Sequence, residues 1–285
     1  MAYTNNVAAL NPQNWADMLQ ENLTKELVAM KIADVKLKSR ATKGTLVHFP
    51  YFGTLSTTAY VKGTDVTVQA LASTDEYLTI DQQWESSFFL DTVDAKQNLY
   101  SAMDAGIRET TDTIKQKIDT VFLAQIVNAA GTLTKADLAA GGTGDIVVTT
   151  TNVIEVFSAA RAKLTHFIKG KTAVAVVTYN VASIIEQKMA SAGFNVQDAA
   201  LKNGYAGDFN GFKIYVSENL STATSGFHCY IGASESISMA LQIAPTTQID
   251  KDPLKFGEVV KMLSVFGVKT FTRNSQRFLD LKVSA

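Results

Sequence analysis

The segment that comes nearest to a phosphate-binding loop lies at residues 165–172, which end in the sequence GKT. A P-loop begins with glycine, follows a strand and opens a helix, because the backbone N–H groups of that turn hold the phosphates. Here Thr165 stands at the first position, and the segment follows a predicted helix and precedes a predicted strand. We therefore interpret it as the basic end of a helix, where lysine is favoured by the helix dipole. The glycine-rich residues 141–144 lack the spacing of a dinucleotide-binding turn and predict a flexible loop.

Side chains that could perform catalysis or bind a metal do not form a recognisable pattern. The histidines are scattered, with no metal-ligand spacing, at His48, His166 and His228. His228 and Cys229 are neighbours, so a strand would point them to opposite faces, which disfavours a Cys–His catalytic pair. Asp250 and Asp252 resemble the start of a calcium loop, but Pro253 and the missing glycine and glutamate break that pattern. We predict no catalytic, cofactor or metal site, and therefore a protein that is not an enzyme.

The composition indicates which partners the protein can bind and in which cell compartment it folds. The chain has 285 residues, of which 46% are hydrophobic, and a formal net charge of -1. That content predicts a folded core, and the absence of a basic excess argues against tight, sequence-independent DNA binding as the main task. There is one cysteine, no secretory signal at the start and no apolar run of 18 residues, so we expect a protein of a reducing cytoplasm that does not enter membranes.

The first part of the chain predicts extended elements with little core. Residues 1–42 form an arm in which residues 11–30 carry an amphipathic helix, with an apolar stripe at Trp15, Leu19, Leu23, Leu27 and Met30. Residues 43–90 then predict a long two-stranded ribbon, with strands at 46–49, 57–61 and 66–70 and a turn at Lys62-Gly63. A lone hairpin buries too little to be stable, so this ribbon must lie on something else.

The second part predicts a long helix followed by a compact unit. Residues 91–128 keep a helical rhythm without proline, which at 1.5 Å per residue gives a spine of roughly 50 Å. The isoleucines at 107, 114 and 118 should face the rest of the subunit. Residues 131–144 read as a loop of small residues, and 151–255 as an α/β unit around a fully apolar strand at 172–178. Strands return at 256–285, with a polar turn near Asn274.

The order of these parts resembles the HK97-like fold of the major capsid proteins of tailed bacteriophages. Local patterns agree with it: residues 11–16 (NPQNWA) are similar to the entry of an N-terminal arm, and 77–82 with 87–91 to the passage from extended loop into spine helix. Residues 203–217 resemble the approach to an axial-domain strand, and 266–269 a returning peripheral strand. Together these patterns follow the order of nearly the whole chain.

The resemblance implies an α+β fold in five parts. These are an N-arm (1–42), an extended loop with adjoining peripheral strands (43–90), the spine helix with the peripheral domain (91–150), an axial domain (151–255) and returning peripheral strands (256–285). It also implies self-assembly, through hexamers and pentamers, into an icosahedral virion shell around double-stranded DNA, built in the bacterial cytoplasm. Because the chain starts close to the arm helix, we expect a separate scaffolding protein, besides a portal protein and a decoration protein.

Candidate contacts between subunits are Trp15 on the arm, Lys62 and Gly63 at the loop turn, and Asn274 in the C-terminal turn. In some members of the resembled family a loop lysine is joined covalently to an asparagine of a neighbouring subunit, so Lys62 and Asn274 are candidates for such a bond. The simpler interpretation, which we favour, is a solvated turn lysine and a turn-forming asparagine. Two other functions stay open at this point: an encapsulin-type shell that encloses cargo proteins, and an unrelated cytoplasmic α/β enzyme.

Overall fold

The computed structural model describes residues 27–36, 44–97, 102–165, 167–168, 170–191, 205–223 and 226–284. Most of the predicted arm, including Trp15, lies outside these residues. Within the predicted arm the structure describes a short helix, α1 (Ala29–Ile32), in which Ala29 and Ile32 are buried. Among the described residues, no helix combines the length and the apolar character needed to cross a membrane.

Two strands near the start of the chain form the base of a long loop. Strand β1 (Leu46–Phe52) pairs antiparallel with β2 (Ser73–Thr79), and the ladder ends at Phe52 and Ser73. The predicted strands at 57–61 and 66–70 are wrong, because residues 53–72 contain no strand. Alternation of apolar and polar residues predicts a strand only where one face is buried, and every residue of this segment is exposed.

The predicted spine helix is present as two described helices. Strand β3 (Gln82–Asp91) leads into α2 (Thr92–Gln97), and α3 (Ala102–Ala124) continues into a 3-10 turn (Gln125–Asn128), while residues 98–101 lie outside the description. Ile114 and Ile118 are buried as predicted, whereas residue 107 is only partly buried. The helix has a glycine at 106 because a Cβ there would lie 2.5 Å from the ring of Phe88 on β3.

A six-stranded mixed sheet forms the main body. Its order is β4-β11-β8-β5-β7-β6, with β4 parallel to β11 and β5 parallel to β7. The segment 131–144, predicted as a loop, therefore contributes a short edge strand. Two helices, α4 (Val153–Leu164) and α5 (Tyr179–Ser191), belong to the same unit. The strands are β4 (Gly131–Leu133), β5 (Ala173–Val177), β6 (Tyr205–Phe209), β7 (Phe212–Val216), β8 (Gly226–Ala233) and β11 (Phe278–Ser284).

A second, three-stranded antiparallel sheet has the order β3-β10-β9. Strands β9 (Ser238–Lys251) and β10 (Gly257–Lys269) are long and form a hairpin whose tip is at 252–256. Their inner ends are buried, but β9 becomes mostly exposed after Leu241. The hairpin therefore extends away from the core, and β3 is left as an edge strand with one side of its backbone unpaired in this sheet.

The buried side chains form two groups. The larger joins α3, α4, α5 and the six-stranded sheet, with Phe122, Phe157 and Tyr230 among its largest members. The smaller lies under β1 and β2 and includes Val47, Leu78 and Phe271. The six-stranded sheet takes β4 and β11 from the predicted parts 91–150 and 256–285, besides the strands of 151–255. The division of the chain into five parts stays a prediction.

One carboxylate ties three segments of the larger unit together. Glu235, in the turn between β8 and β9, is bonded to the ammonium of Lys171, which precedes β5, and lies 2.6 Å from that of Lys36, after α1. These hydrogen bonds, first from Lys171 and then from Lys36, lower the pKa of Glu235 to about 2. The Glu235 side chain is 37% exposed, so water screens the interaction and its contribution to stability is modest.

This cluster predicts a specific pH dependence of stability. The pKa of Glu235 in the folded chain lies below its ordinary value of 4.5, so its stabilising effect is full above about pH 4.5 and is lost as the pH falls towards 2. Glu235→Gln should lower the free energy of unfolding at pH 7, and the difference from the unsubstituted chain should shrink below pH 4.5. Urea unfolding of unassembled subunits at several pH values measures this. Glu218→Gln, at an exposed position, is the control; an effect of Glu235→Gln that is the same at pH 7 and pH 3 would contradict the assignment.

Candidate assembly surfaces

The loop at residues 53–72, called here the extended loop, presents apolar side chains to solvent. At its base the N–H of Gly53 donates to the carbonyl of Ala72 over 2.8 Å. Further out, the Gln69 amide bridges the two legs by accepting from Ser56 N–H and donating to Ser56 O, at 3.0 and 2.7 Å. Val68 is 89% exposed. The other large apolar residues exposed on this loop are Leu55, Tyr60, Val61, Val66 and Leu71.

The tip of the extended loop is the predicted turn. Thr64 N–H and Oγ1 both bond to the carbonyl of Val61, which closes the turn around Lys62 and Gly63. Gly63 has a φ of 89°, a left-handed conformation that glycine adopts without strain. Lys62 and Gly63 are exposed, in agreement with a turn that points away from the subunit.

The C-terminal turn lies against the base of the loop, far from its tip. Phe271 stacks on Phe49 with ring centroids 5.1 Å apart, and the guanidinium of Arg273 lies over the Tyr51 ring at 4.6 Å. Asn274 follows directly, and its N–H donates to the carbonyl of Phe271 over 2.9 Å. Lys62 is ten residues beyond Phe52, a span of up to about 35 Å of extended chain. Within one subunit, Lys62 and Asn274 are therefore placed at opposite ends of the loop.

A second exposed apolar surface, at the tip of the β9–β10 hairpin, was missed by the sequence analysis. Leu254 is 93% exposed and Phe256 is 88% exposed. The turn is ordered by the Asp252 carboxylate, which accepts from the N–H groups of Leu254 and Lys255 at 2.8 and 3.2 Å. The sequence Pro-Leu-Lys-Phe at 253–256 could have indicated this surface. Turns between strands are normally polar, so two large apolar residues in one are unusual.

The first described residues of the chain are held by a buried carboxylate. Asp119 on α3 is 1% exposed, and its Oδ1 accepts from the N–H groups of Val28 and Ala29 at 2.9 and 2.6 Å. Its Oδ2 accepts from Asn219 Nδ2 at 2.9 Å. Asp119 therefore caps α1 from a different helix and fixes the position where the arm joins the spine.

The groups considered for catalysis have structural partners instead. His228 Nδ1 and Asp280 Oδ2 are 2.8 Å apart and both residues are buried between β8 and β11. Burial raises the pKa of Asp280, although the His228 partner acts in the opposite direction. Lys171 of the GKT sequence is bonded to Glu235. Among the described residues no group of three or more His, Cys, Asp or Glu side chains is arranged to hold a metal ion.

Comparison with known proteins agrees with an assembly subunit. The family model described as phage capsid protein matches residues 54–274. A structure from Mycobacterium phage Che8 is similar with a TM-score of 0.77 at 22% identity, covering 98% of each chain. The capsid structure of the cyanophage P-SCSP1u has a TM-score of 0.73 at 17% identity, covering 99% of this chain and 95% of that one. The capsid of Ralstonia phage GP4 has a TM-score of 0.69 at 13% identity, covering 100% and 98%. No curated protein sequence matches the chain.

The fold is similar to that of HK97-like capsid structures, so the predicted α+β class is confirmed. The chain belongs to the phage capsid protein family. It is a structural protein, a major capsid subunit of the virion, and the interpretation as an unrelated enzyme is set aside. The individual contact residues Lys62, Gly63 and Asn274 stay predictions, and Trp15 lies outside the described residues.

The Asp119 cap can be tested by removing the carboxylate. Asp119→Ala leaves two buried N–H groups without their acceptor and should reduce the free energy of unfolding by roughly 3 kcal/mol. Urea unfolding of the unassembled subunit measures this. The matched control is Asp112→Ala on the same helix, whose carboxylate makes only a surface pair with Lys115 at 3.4 Å and whose loss should cost at most about 0.5 kcal/mol. Equal effects of the two substitutions would contradict the role given to Asp119.

Proposed function

We propose that this subunit forms hexamers and pentamers that close into an icosahedral head around double-stranded DNA. The observation that carries the proposal is the extended loop, which exposes six large apolar side chains and has no ladder of backbone hydrogen bonds within the subunit. Single exposed apolar residues are ordinary, but a contiguous set marks a surface that another molecule covers. A neighbouring copy is that molecule in a symmetric shell.

The interior of the shell would meet DNA without a binding site for it. The net charge of -1 gives little attraction to phosphates, which suits a container whose contents must enter and leave. We propose contacts with DNA that are weak and independent of its sequence. The encapsulin-type alternative shares the fold, but the match to a phage capsid family favours the phage head.

Assembly in the host cytoplasm would require other proteins. We propose a separate scaffolding protein, a portal at one vertex and a decoration protein that strengthens the finished shell. The subunit itself is proposed to have no enzymatic activity, in keeping with the structural partners found for His228, Asp280 and Lys171.

Replacing the extended loop tests the proposal. Residues 54–71 can be exchanged for Asn-Gly, a two-residue turn that suits hairpins, because Gly53 and Ala72 are already hydrogen-bonded to each other. The circular dichroism spectrum and melting temperature should stay close to those of the intact subunit, since the removed residues are exposed. With scaffold supplied, electron microscopy should show no closed shells. Loss of the fold would mean that the loop is core, and normal shells would remove its role in assembly.

A finer variant separates the apolar side chains from the loop as a whole. The triple substitution Val66→Ser, Val68→Ser and Leu71→Ser should reduce the yield of shells at least about tenfold, the effect of losing 1.4 kcal/mol or more of contact energy. Its matched control changes the polar loop residues 57, 58 and 67 from Thr to Ser and should assemble normally. Equal yields from both variants would show that apolar contact by the loop is unimportant.

The covalent link between Lys62 and Asn274 has its own test. Asn274 lies at the base of the loop and Lys62 at its tip, so we propose that such a bond would join different subunits. We favour its absence, so boiling mature particles in denaturant should give a single band near the subunit mass of 30.8 kDa on a gel. A ladder of heavier bands that disappears with Lys62→Ala would establish the bond instead.

A further inference from the structure

A polar groove lies between the edge strand β3 and the helix α3, and its volume is about 430 Å³. The indole ring of Trp84 forms part of it, and the ammonium of Lys117 lies over that ring, 4.0 Å from the ring centroid. Most of its other lining residues are polar, namely Glu85, Ser86, Thr113, Gln116 and Thr120. The groove therefore suits an occupant with polar and charged side chains.

The groove carries one charge of each sign, and among the described residues neither charge has an ion-pair partner. Glu85, on β3, is exposed at its border, and Lys117, on α3, is partly buried. The contact with the face of Trp84 orients the Lys117 ammonium. It does not use the N–H groups that point away from the ring, so these can donate to a carboxylate. The groove therefore favours an occupant that brings a cation to β3 and an anion to α3.

The tip of the extended loop carries the matching charges. Lys62 and Asp65 are three residues apart on the turn that the Val61 carbonyl closes, and both are exposed. Neither has an ion-pair partner in the described part of the chain. A Cβ added to Gly63, between them, would meet no other described part of the chain within 4 Å. The tip therefore offers one cation and one anion that its own subunit does not use.

The groove that this tip can fill belongs to another copy. The Arg273 guanidinium donates to the carbonyl of Phe52 and holds the base of the loop, while the tip stands up to about 35 Å of chain away. A contact in which the tip of one copy enters the groove of the next is heterologous, so it can repeat around a closed ring. The tip of the β9–β10 hairpin suits the groove less well, because it presents the apolar Leu254 and Phe256.

We propose that the tip of the extended loop of one subunit docks in the β3–α3 groove of a neighbouring copy, with Lys62 against Glu85 and Asp65 against Lys117. This inference rests on the proposed assembly function and names the surface at which the loop meets its neighbour. Two ion pairs of opposite direction fix the register of the turn, because the reversed orientation would bring like charges together. Lys62 then has a carboxylate as its partner, rather than the Asn274 side chain.

Disulfide trapping in closed shells of the full-length chain tests the proposal. Asp65→Cys combined with Lys117→Cys should give subunits linked into multimers on a non-reducing gel. The control pair replaces Lys115, two residues away and about 200° around the same helix, and should link at least about tenfold more slowly. The native Cys229 does not compete, because burial raises its pKa to about 12. Closed shells in which the two pairs link equally, or not at all, would overturn the docking site but not the shell function. Absence of shells from the unsubstituted chain would overturn both.

Exchange of the charges gives a second readout that needs no new bond. Lys62→Glu alone and Glu85→Lys alone should each lower the yield of shells at least about tenfold, because like charges then face each other. The two changes together should restore the yield to within about threefold of the unsubstituted chain. The control combines Lys62→Glu with Glu258→Lys, the same change of charge on the adjacent strand β10, and should restore nothing. No recovery with Glu85→Lys, or equal recovery with Glu258→Lys, would contradict the pairing.

Discussion

The structure depends on one constraint: the chain carries more extended apolar surface than a single subunit can bury. The extended loop, residues 53–72, exposes all of its side chains, and the β9–β10 hairpin ends in Leu254 and Phe256, which are almost fully exposed. Water disfavours such surface by roughly 25 cal/mol per Å². The folded subunit is therefore stabilised by its core, which lies elsewhere, and we propose that other copies cover the extended surface.

A few polar and aromatic contacts join the core to the exposed elements. Asp119 holds the start of α1 against the spine helix, and Glu235 links Lys36 to Lys171 across the turns of the sheet. Phe271 and Arg273 fasten the base of the extended loop to the C-terminal turn. These contacts fix the start of α1 and the base of the extended loop, while the outer part of the loop stays exposed.

The sequence predicted correctly those elements in which the spacing of apolar residues indicates which side chains are buried. The apolar run at β5 and the 3.6-residue rhythm of α3 and α4 are local signals, and both were read correctly. Contacts between distant residues left no such signal: the parallel pairing of β4 with β11 and the pair of His228 with Asp280 depend on the folded sheet. The strands predicted at 57–61 and 66–70 are absent for a related reason. Alternation of apolar and polar residues indicates a surface that becomes buried, but it does not tell whether the same chain or another chain buries it. Lys62 and Gly63 were placed correctly at a turn, whereas the apolar hairpin tip was overlooked.

The central claim is that neighbouring subunits supply the partners that the extended loop lacks. Hydrogen exchange of the backbone amides of residues 53–72, compared between free subunits and assembled shells, tests it most directly. The account predicts fast exchange in the free subunit and slowing by at least about a hundredfold in the shell, while the amides of β5 are protected in both. Amides of the loop that are already protected in the free subunit, or that still exchange fast in closed shells, would contradict the account.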